Sequence, residues 1–159
     1  MSVSDETLLC PYPFGRMEAN EKRFISCCEH WTTDEFAELA KKHPGWNGLA
    51  AQELRRHIMN QDYRFCKKEV CGIPPMTVGE FKKKEGRYNS FNHISAKNLE
   101  FIERGKKELP EGPAVVVVSA DHRCNLKCPS CRKGYITQLD ERQKVGIEFT
   151  QKLIDENKS

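Results

Sequence analysis

Apolar and polar positions first alternate and then recur at helical spacing along the N-terminal seventy or so residues. Residues 16–19 and 23–26 flank Asn20, Glu21 and Lys22, the pattern of a hairpin with a short turn, and its second strand ends at Cys27 and Cys28. Adjacent strand residues point to opposite faces, so only one of that pair can aim at a given centre. Upstream, Pro11 and Pro13 predict that residues 8–14 are extended or turned and not helix interior. Thr33 is placed to cap a helix over 34–42 with Phe36, Leu39 and Ala40 on one side, ended by Pro44 and Gly45. A second helix carries the stripe Leu49, Ala50, Glu53, Leu54, His57 and Ile58, with Arg55 and Arg56 expected on the exposed side. Cys66 and Cys71 then form a C-x4-C turn closed by Gly72, Ile73, Pro74 and Pro75.

Patterning weakens over residues 73–113, which read as a connector framed by prolines 74, 75, 110 and 113. Two short helical pieces fall inside it, at 78–84 and at 95–108, the second capped by Ser95 and carrying Leu99, Ile102 and Lys106. Residues 114–119, AVVVVS, lack polar alternation and predict a buried parallel strand. A helix over 140–157 follows a cysteine-rich loop, with Val145, Phe149, Leu153 and Ile154 on one face. Strand, loop and helix make one βα unit. A lone parallel strand needs a larger sheet, so the chain is expected to be part of a longer protein or to rely on another chain. The fold class expected is mixed α+β and α/β: a small cysteine-rich module of hairpin and helices over 8–72, the connector, and an incomplete βα unit over 114–159.

Charge changes this picture little. Lys and Arg number 26 against 23 Asp and Glu, a net charge of +3, so nucleic acid is not expected as a partner, and the basic tracts at 82–84 and 104–107 read as solvated faces. The N-terminal residues show no basic region followed by an apolar core, and no apolar run approaches the ~20 residues that span a bilayer. A cytoplasmic protein without membrane contact is the expectation.

Cysteine changes the picture more. Eight are present, at 10, 27, 28, 66, 71, 124, 128 and 131, and in a reducing compartment they suit metal better than disulfides. Cys124, Cys128 and Cys131 form a C-x3-C-x2-C array directly after the apolar strand. Three soft ligands on one loop favour an iron-sulfur cluster or zinc over a hard cation and leave one coordination position open. Zinc more usually draws two close pairs. Arg123, Lys127, Arg132 and Lys133 surround the thiols with positive charge, which favours thiolate. Asp121 and His122 read as turn polarity, and His30, His43, His57 and His93 as ordinary helix or surface residues, since none shares a close ligand spacing with a second histidine. Trp31 and Trp46 are expected to fill a small core against the hairpin.

The loop CNLKCPSC at 124–131, at the end of what would be a first barrel strand, resembles the signature of the radical SAM superfamily. The resemblance implies a partial TIM-type barrel and a four-iron four-sulfur (4Fe-4S) cluster on Cys124, Cys128 and Cys131. S-adenosylmethionine would chelate its unique iron and be cleaved reductively to methionine and a 5'-deoxyadenosyl radical. Ser130 departs from the aromatic residue the family often has before its third cysteine. The N-terminal succession of Cys10, a hairpin ending in CCEHW, the segment GWNG before a Leu- and Arg-rich helix, then DYRFC and Cys71 resembles a SPASM or twitch-type auxiliary domain. Lys22 stands where that family has its hairpin glycine. The second resemblance implies an auxiliary 4Fe-4S cluster on Cys10, Cys27 or alternatively Cys28, Cys66 and Cys71, with a four-thiolate zinc site as the other reading of the same residues.

Together these resemblances imply part of a radical SAM enzyme that modifies a substrate, a peptide or protein by analogy, and is fed by a reducing electron donor such as flavodoxin or ferredoxin. The family's later SAM-binding strands would lie beyond Ser159, so the 159 residues alone are expected not to turn over. The rival reading is a non-enzymatic metal-binding module, zinc or iron-sulfur, that serves partner binding or electron transfer.

Overall fold

The computed structural model of the chain describes residues 3–20, 23–83 and 94–119, together with Glu148, Gln151 and Asp155. Two compact units divide the chain, Met1–Glu18 with Arg23–Val117 and Ala19–Lys22 with Val118–Ser159. Nearly all the described residues lie in the first.

The described elements begin with β1 (Leu8–Leu9), a one-turn helix α1 (Tyr12–Gly15), and the hairpin β2 (Arg16–Asn20) and β3 (Arg23–Ile25). A 3-10 turn (Glu29–Trp31) leads into α2 (Asp34–Lys42) and α3 (Leu49–Met59), followed by β4 (Met76–Thr77), α4 (Val78–Lys83), α5 (Ala96–Glu103) and β5 (Val115–Ser119). β1 pairs antiparallel with β4, Leu8 opposite Thr77 and Leu9 opposite Met76. The second sheet has the order β3-β2-β5. The architecture among the described residues is thus mixed α/β, with two small sheets and five α-helices.

Several elements follow from local chemistry. The Thr33 side chain accepts from the Phe36 N–H and caps α2, and Ser95 does the same for α5 through Asn98. Segment 12–15, expected to be extended or turned, is a helical turn with a proline in it. Pro13 sits in its first turn, where no N–H partner is needed. Gly45, at φ +103°, and Gly48, whose added Cβ would lie 2.3 Å from the Pro44 carbonyl oxygen, permit the tight 43–48 loop. That loop presents Trp46 and Asn47 to α3.

A single core collects Leu9, Phe14, Ile25, Phe36, Leu54, Ile58 and Phe65 with Met76, Val78, Phe81, Leu99, Ile102 and Leu109. The last six lie within 73–113, so the stretch expected to be a connector supplies core to the N-terminal module. Asn47 and Asn98 fasten its far end. Asn47 bonds both the N–H and the carbonyl of Leu109, at 3.0 and 2.8 Å, and Asn98 does likewise to Glu111, at 3.0 and 3.2 Å. Among the basic tracts, Lys82 bridges Asp5 and Glu103.

Two expectations change here. Val116 and Val118 of β5 are 39% and 42% exposed, so this strand does not have both faces covered; among the described residues it has β2 as its one sheet neighbour. Arg55, expected at the surface, is wholly buried. Its Nε donates to the Pro13 carbonyl at 2.7 Å, Nη1 to Asn47 Oδ1 at 3.0 Å and the Lys107 carbonyl at 3.1 Å, and Nη2 to the Trp46 carbonyl at 2.8 Å. The guanidinium also lies 4.1 Å from the centroid of the Trp46 ring. Trp46 therefore stacks on Arg55 and donates its indole N–H to Glu111, while Trp31 packs on Tyr12 at 5.2 Å between ring centroids. Of the C-terminal helix expected over 140–157, Glu148, Gln151 and Asp155 are described, and all three are helical.

Candidate metal centre

Three pieces of chain deliver the four N-terminal cysteines, Cys66 and Cys71 sharing one turn. Cys10 follows β1 directly, and the Leu8 carbonyl beside it accepts from Gln61 Nε2 at 2.6 Å and from the Tyr63 hydroxyl at 3.3 Å. Cys27 lies just beyond β3. Cys66 pairs with Thr32 in an isolated antiparallel bridge, flanked by Thr33 N–H to the Phe65 carbonyl at 2.9 Å and Lys67 N–H to the Trp31 carbonyl at 2.8 Å. The Cys71 N–H donates to the Lys67 carbonyl at 3.0 Å, which closes the 66–71 turn. The bridge to residues 31–33 thereby holds the start of the C-x4-C turn in place.

These thiols share one electrostatic neighbourhood. Burial pushes Cys10 up to about 12, against the Tyr12 N–H that favours its thiolate, and negative charge on Cys66 and Cys71 would raise it further. Burial likewise holds Cys27 well above the ordinary thiol range, with Cys10, Cys66 and Cys71 all adding to it. Burial and then Cys71 push Cys66 up to about 11, with Lys68 opposing. Cys10 and Cys27 are 8% and 6% exposed, whereas Cys66 and Cys71 are part-exposed. All four are free thiols.

Cys28 is part-exposed and has Glu18 as its neighbour. Burial raises its pKa first; the N–H of His30 then favours its thiolate, and a hydrogen bond and negative charge from Glu18 oppose it. β3 ends at Ile25, so residues 27 and 28 lie beyond the strand whose alternation was expected to separate them.

Two tyrosines border the thiols and carried no signal in the sequence pattern. Tyr12 is raised by burial and by Cys27, Cys10 and Cys28, against the Arg16 guanidinium 4.9 Å from its ring centroid. Tyr63 is pushed up to about 12 by burial and then by Cys10 and Cys66. His57, buried against the Phe65 ring at 5.0 Å, bonds Asp62 Oδ2 at 2.8 Å.

The donor set suits a soft metal: four sulfurs, with a backbone N–H directed at Cys10 and another at Cys27. Among the described residues no group of three or more Cys, His, Asp or Glu is arranged to hold a single metal ion. A tetrahedral zinc ion draws its sulfurs to within about 4 Å of one another. A four-iron cluster gives each thiolate its own iron and asks for a wider ring. The second ligand set, Cys124, Cys128 and Cys131, lies outside the described residues, as do Asp121, His122 and the cations around it. No described helix is long and apolar enough to cross a membrane.

No protein family, curated protein or solved structure matches this chain.

Proposed function

We propose that this chain is the cluster-bearing N-terminal part of a radical SAM protein with a SPASM or twitch-type auxiliary domain. Cys10, Cys27, Cys66 and Cys71 would hold the auxiliary 4Fe-4S cluster. Cys124, Cys128 and Cys131 would hold the cluster that binds S-adenosylmethionine, and the loaded centres would supply the reducing electron and the radical. One observation supports this most: Cys10, Cys27, Cys66 and Cys71, spread over 62 positions, fold near enough for the charge of one to act on the thiol of another. Within the chain, the N–H groups of Tyr12 and Cys28 would stabilise sulfur charge, and Tyr12 and Tyr63 would limit water at the ring. A peptide or protein substrate and an electron donor of the flavodoxin or ferredoxin class belong to the same proposal.

Anaerobic reconstitution with iron and sulfide tests it. The expected product is brown, with about eight irons and as many sulfides per chain, as two four-iron clusters require. Replacing Cys128 with Ala should remove about half of that iron. Stoichiometric zinc without sulfide would instead establish a structural metal module and end the radical SAM reading.

A further inference from the structure

Within the first unit the described residues enclose a cleft of about 440 Å³, lined by none of the cysteines, a volume at the lower end of the range for small-molecule sites. Two helix ends and the N-terminal segment build it. Arg56, Met59 and Asn60 share one face at the C-terminal end of α3, and Gly105 follows α5 in the left-handed region at φ +68°. Val3 is tied to that second helix end by its N–H, which donates to the Glu103 carbonyl at 2.9 Å. Gln61 closes the α3 end at φ +61°, a position that glycine fills more readily. Its side chain lines the cleft and is fastened there, Nε2 donating to the Leu8 carbonyl at 2.6 Å.

Among the described residues Arg56 is the one charged member of the lining. It is exposed yet held. Nε and Nη2 both donate to Glu53 Oε2, at 2.9 and 2.7 Å, and Nη2 donates also to His57 Nε2 at 2.7 Å. A guanidinium has no acceptor, so this imidazole nitrogen accepts, and His57 Nδ1 carries the hydrogen that bonds Asp62 Oδ2 at 2.8 Å. Glu53, His57 and Asp62 thus fix an arginine that solvent would otherwise leave mobile, and the two N–H groups of Nη1 have no acceptor among the described residues. Lys107 shares the Glu53 carboxylate at 3.4 Å, so two cations face one anion and a unit of positive charge is left over. No acid lines the cleft among the described residues: Asp62 bonds His57 and Arg64, while Asp5 and Glu103 bond Lys82.

We propose that this cleft binds a small organic monocarboxylate. Arg56 Nη1 and the Asn60 amide, which has no partner among the described residues, take the carboxylate, and Met59 and Val3 cover the apolar part. Asn60 stands one turn beyond Arg56 on the same face, so both donors reach one carboxylate. Because Arg56 is already fixed, little ordering is left to oppose binding. A neutral ligand would leave the Nη1 donors unused, and an inorganic anion would leave the Val3 and Met59 wall uncovered. None of these residues is a proposed metal ligand, so the site stands or falls independently of the iron-sulfur reading.

The probe is phenylacetate, with phenylacetamide as its uncharged counterpart and acetate as the headgroup alone. Each is titrated into the isotope-labelled full chain and followed by NMR. Phenylacetate should bind with a Kd on the order of 1 mM, the range for a fragment of about ten non-hydrogen atoms. It should shift the Asn60 and Gln61 side-chain amides, the Gly105 N–H and Arg56 Nε together. Phenylacetamide and acetate should each bind about tenfold more weakly or worse. Arg56→Gln should bring phenylacetate down to the level of phenylacetamide, while Lys42→Gln, at the exposed end of α2, should leave both unchanged. Shifts that map to other residues, equal affinity for the acid and its amide, or an Arg56→Gln chain that binds phenylacetate as wild type does would overturn the proposal. So would the absence of a saturable shift at about ten times the expected Kd. The mapping and the comparison of probes need no variant, so they decide the matter even if Arg56→Gln fails to fold.

Discussion

Arg55→Met removes a buried cation while roughly keeping its volume. The four acceptors of Arg55 are uncharged oxygens drawn from α1, the 46–47 loop and residue 107, so the side chain joins three pieces of chain that no strand pairing connects. Burial drives its guanidinium from 12.5 down to about 9, a desolvation cost of about 5 kcal/mol. It therefore remains charged at neutral pH. Against that cost stand four hydrogen bonds from a charged donor, about 1.5–3 kcal/mol each, and a desolvated cation–π contact of about 2 kcal/mol. The attractive side wins by several kcal/mol. Methionine recovers part of this through apolar burial but leaves carbonyl oxygens without donors, so we expect a net loss of about 3 kcal/mol. For a chain of this size that is a fall in Tm of about 6–12 °C. Urea unfolding followed by circular dichroism measures it, with Arg55→Lys expected to lose about 2 kcal/mol because a point-charge ammonium cannot span the same acceptors. An Arg55→Met chain within about 1 kcal/mol of wild type, at unchanged m-value, would refute the reasoning and make Arg55 a replaceable buried ion. Because Pro13 lies three residues from Cys10, the variant should also release N-terminal iron faster to a chelator.

Cys27→Ala should cost about half of the iron taken up by the full chain, while Cys28→Ala should keep it all, by iron and sulfide analysis after reconstitution. Thr33→Ala should lower stability by about 1 kcal/mol through loss of the α2 cap, measured by urea unfolding. Asp62, held below its ordinary range first by the His57 hydrogen bond, contributes stability that is present above the ordinary carboxylate pKa and lost as pH falls through the lowered one. Asp62→Asn should accordingly flatten the acid limb of stability against pH.

How much of this was legible depends on how local the cause is. The caps at Thr33 and Ser95 and the helix over 49–59 rest on spacing of four residues or fewer, and spacing is what a sequence displays. Arg55 was misplaced because next to Arg56 it reads as half of a charged face. Its burial is decided by Pro13 and Lys107, more than forty positions away on either side. The stretch 73–113 reads as a connector for the same reason, since its prolines and lysines mask six residues that belong to one core with residues from the first sixty-five positions. Tyr63 sits three residues before Cys66 in a segment without periodicity, so its place at the thiol ring shows only once the chain is folded.

The thiol ring also bears on what comes first, the fold or the metal. Cys10 and Cys27 belong to the apolar core, and with pKa values raised by burial they are neutral at physiological pH, packing as small hydrophobic side chains. The bridge between residues 31–33 and 65–67, the Asn47 and Asn98 clamps and Arg55 hold this module together without any metal bond. A zinc finger, by contrast, has little core and folds only when metal neutralises its thiolates. On the proposed function, loading would have to expel protons from thiols that burial holds protonated, Cys10 at about 12 and Cys66 at about 11. The metal's own charge supplies that driving force. Apparent metal affinity should thus climb steeply with pH, while chelation should leave the helical circular dichroism largely in place. Collapse of the helices on chelation would mean that the thiols, and not the core, organise the N-terminal module.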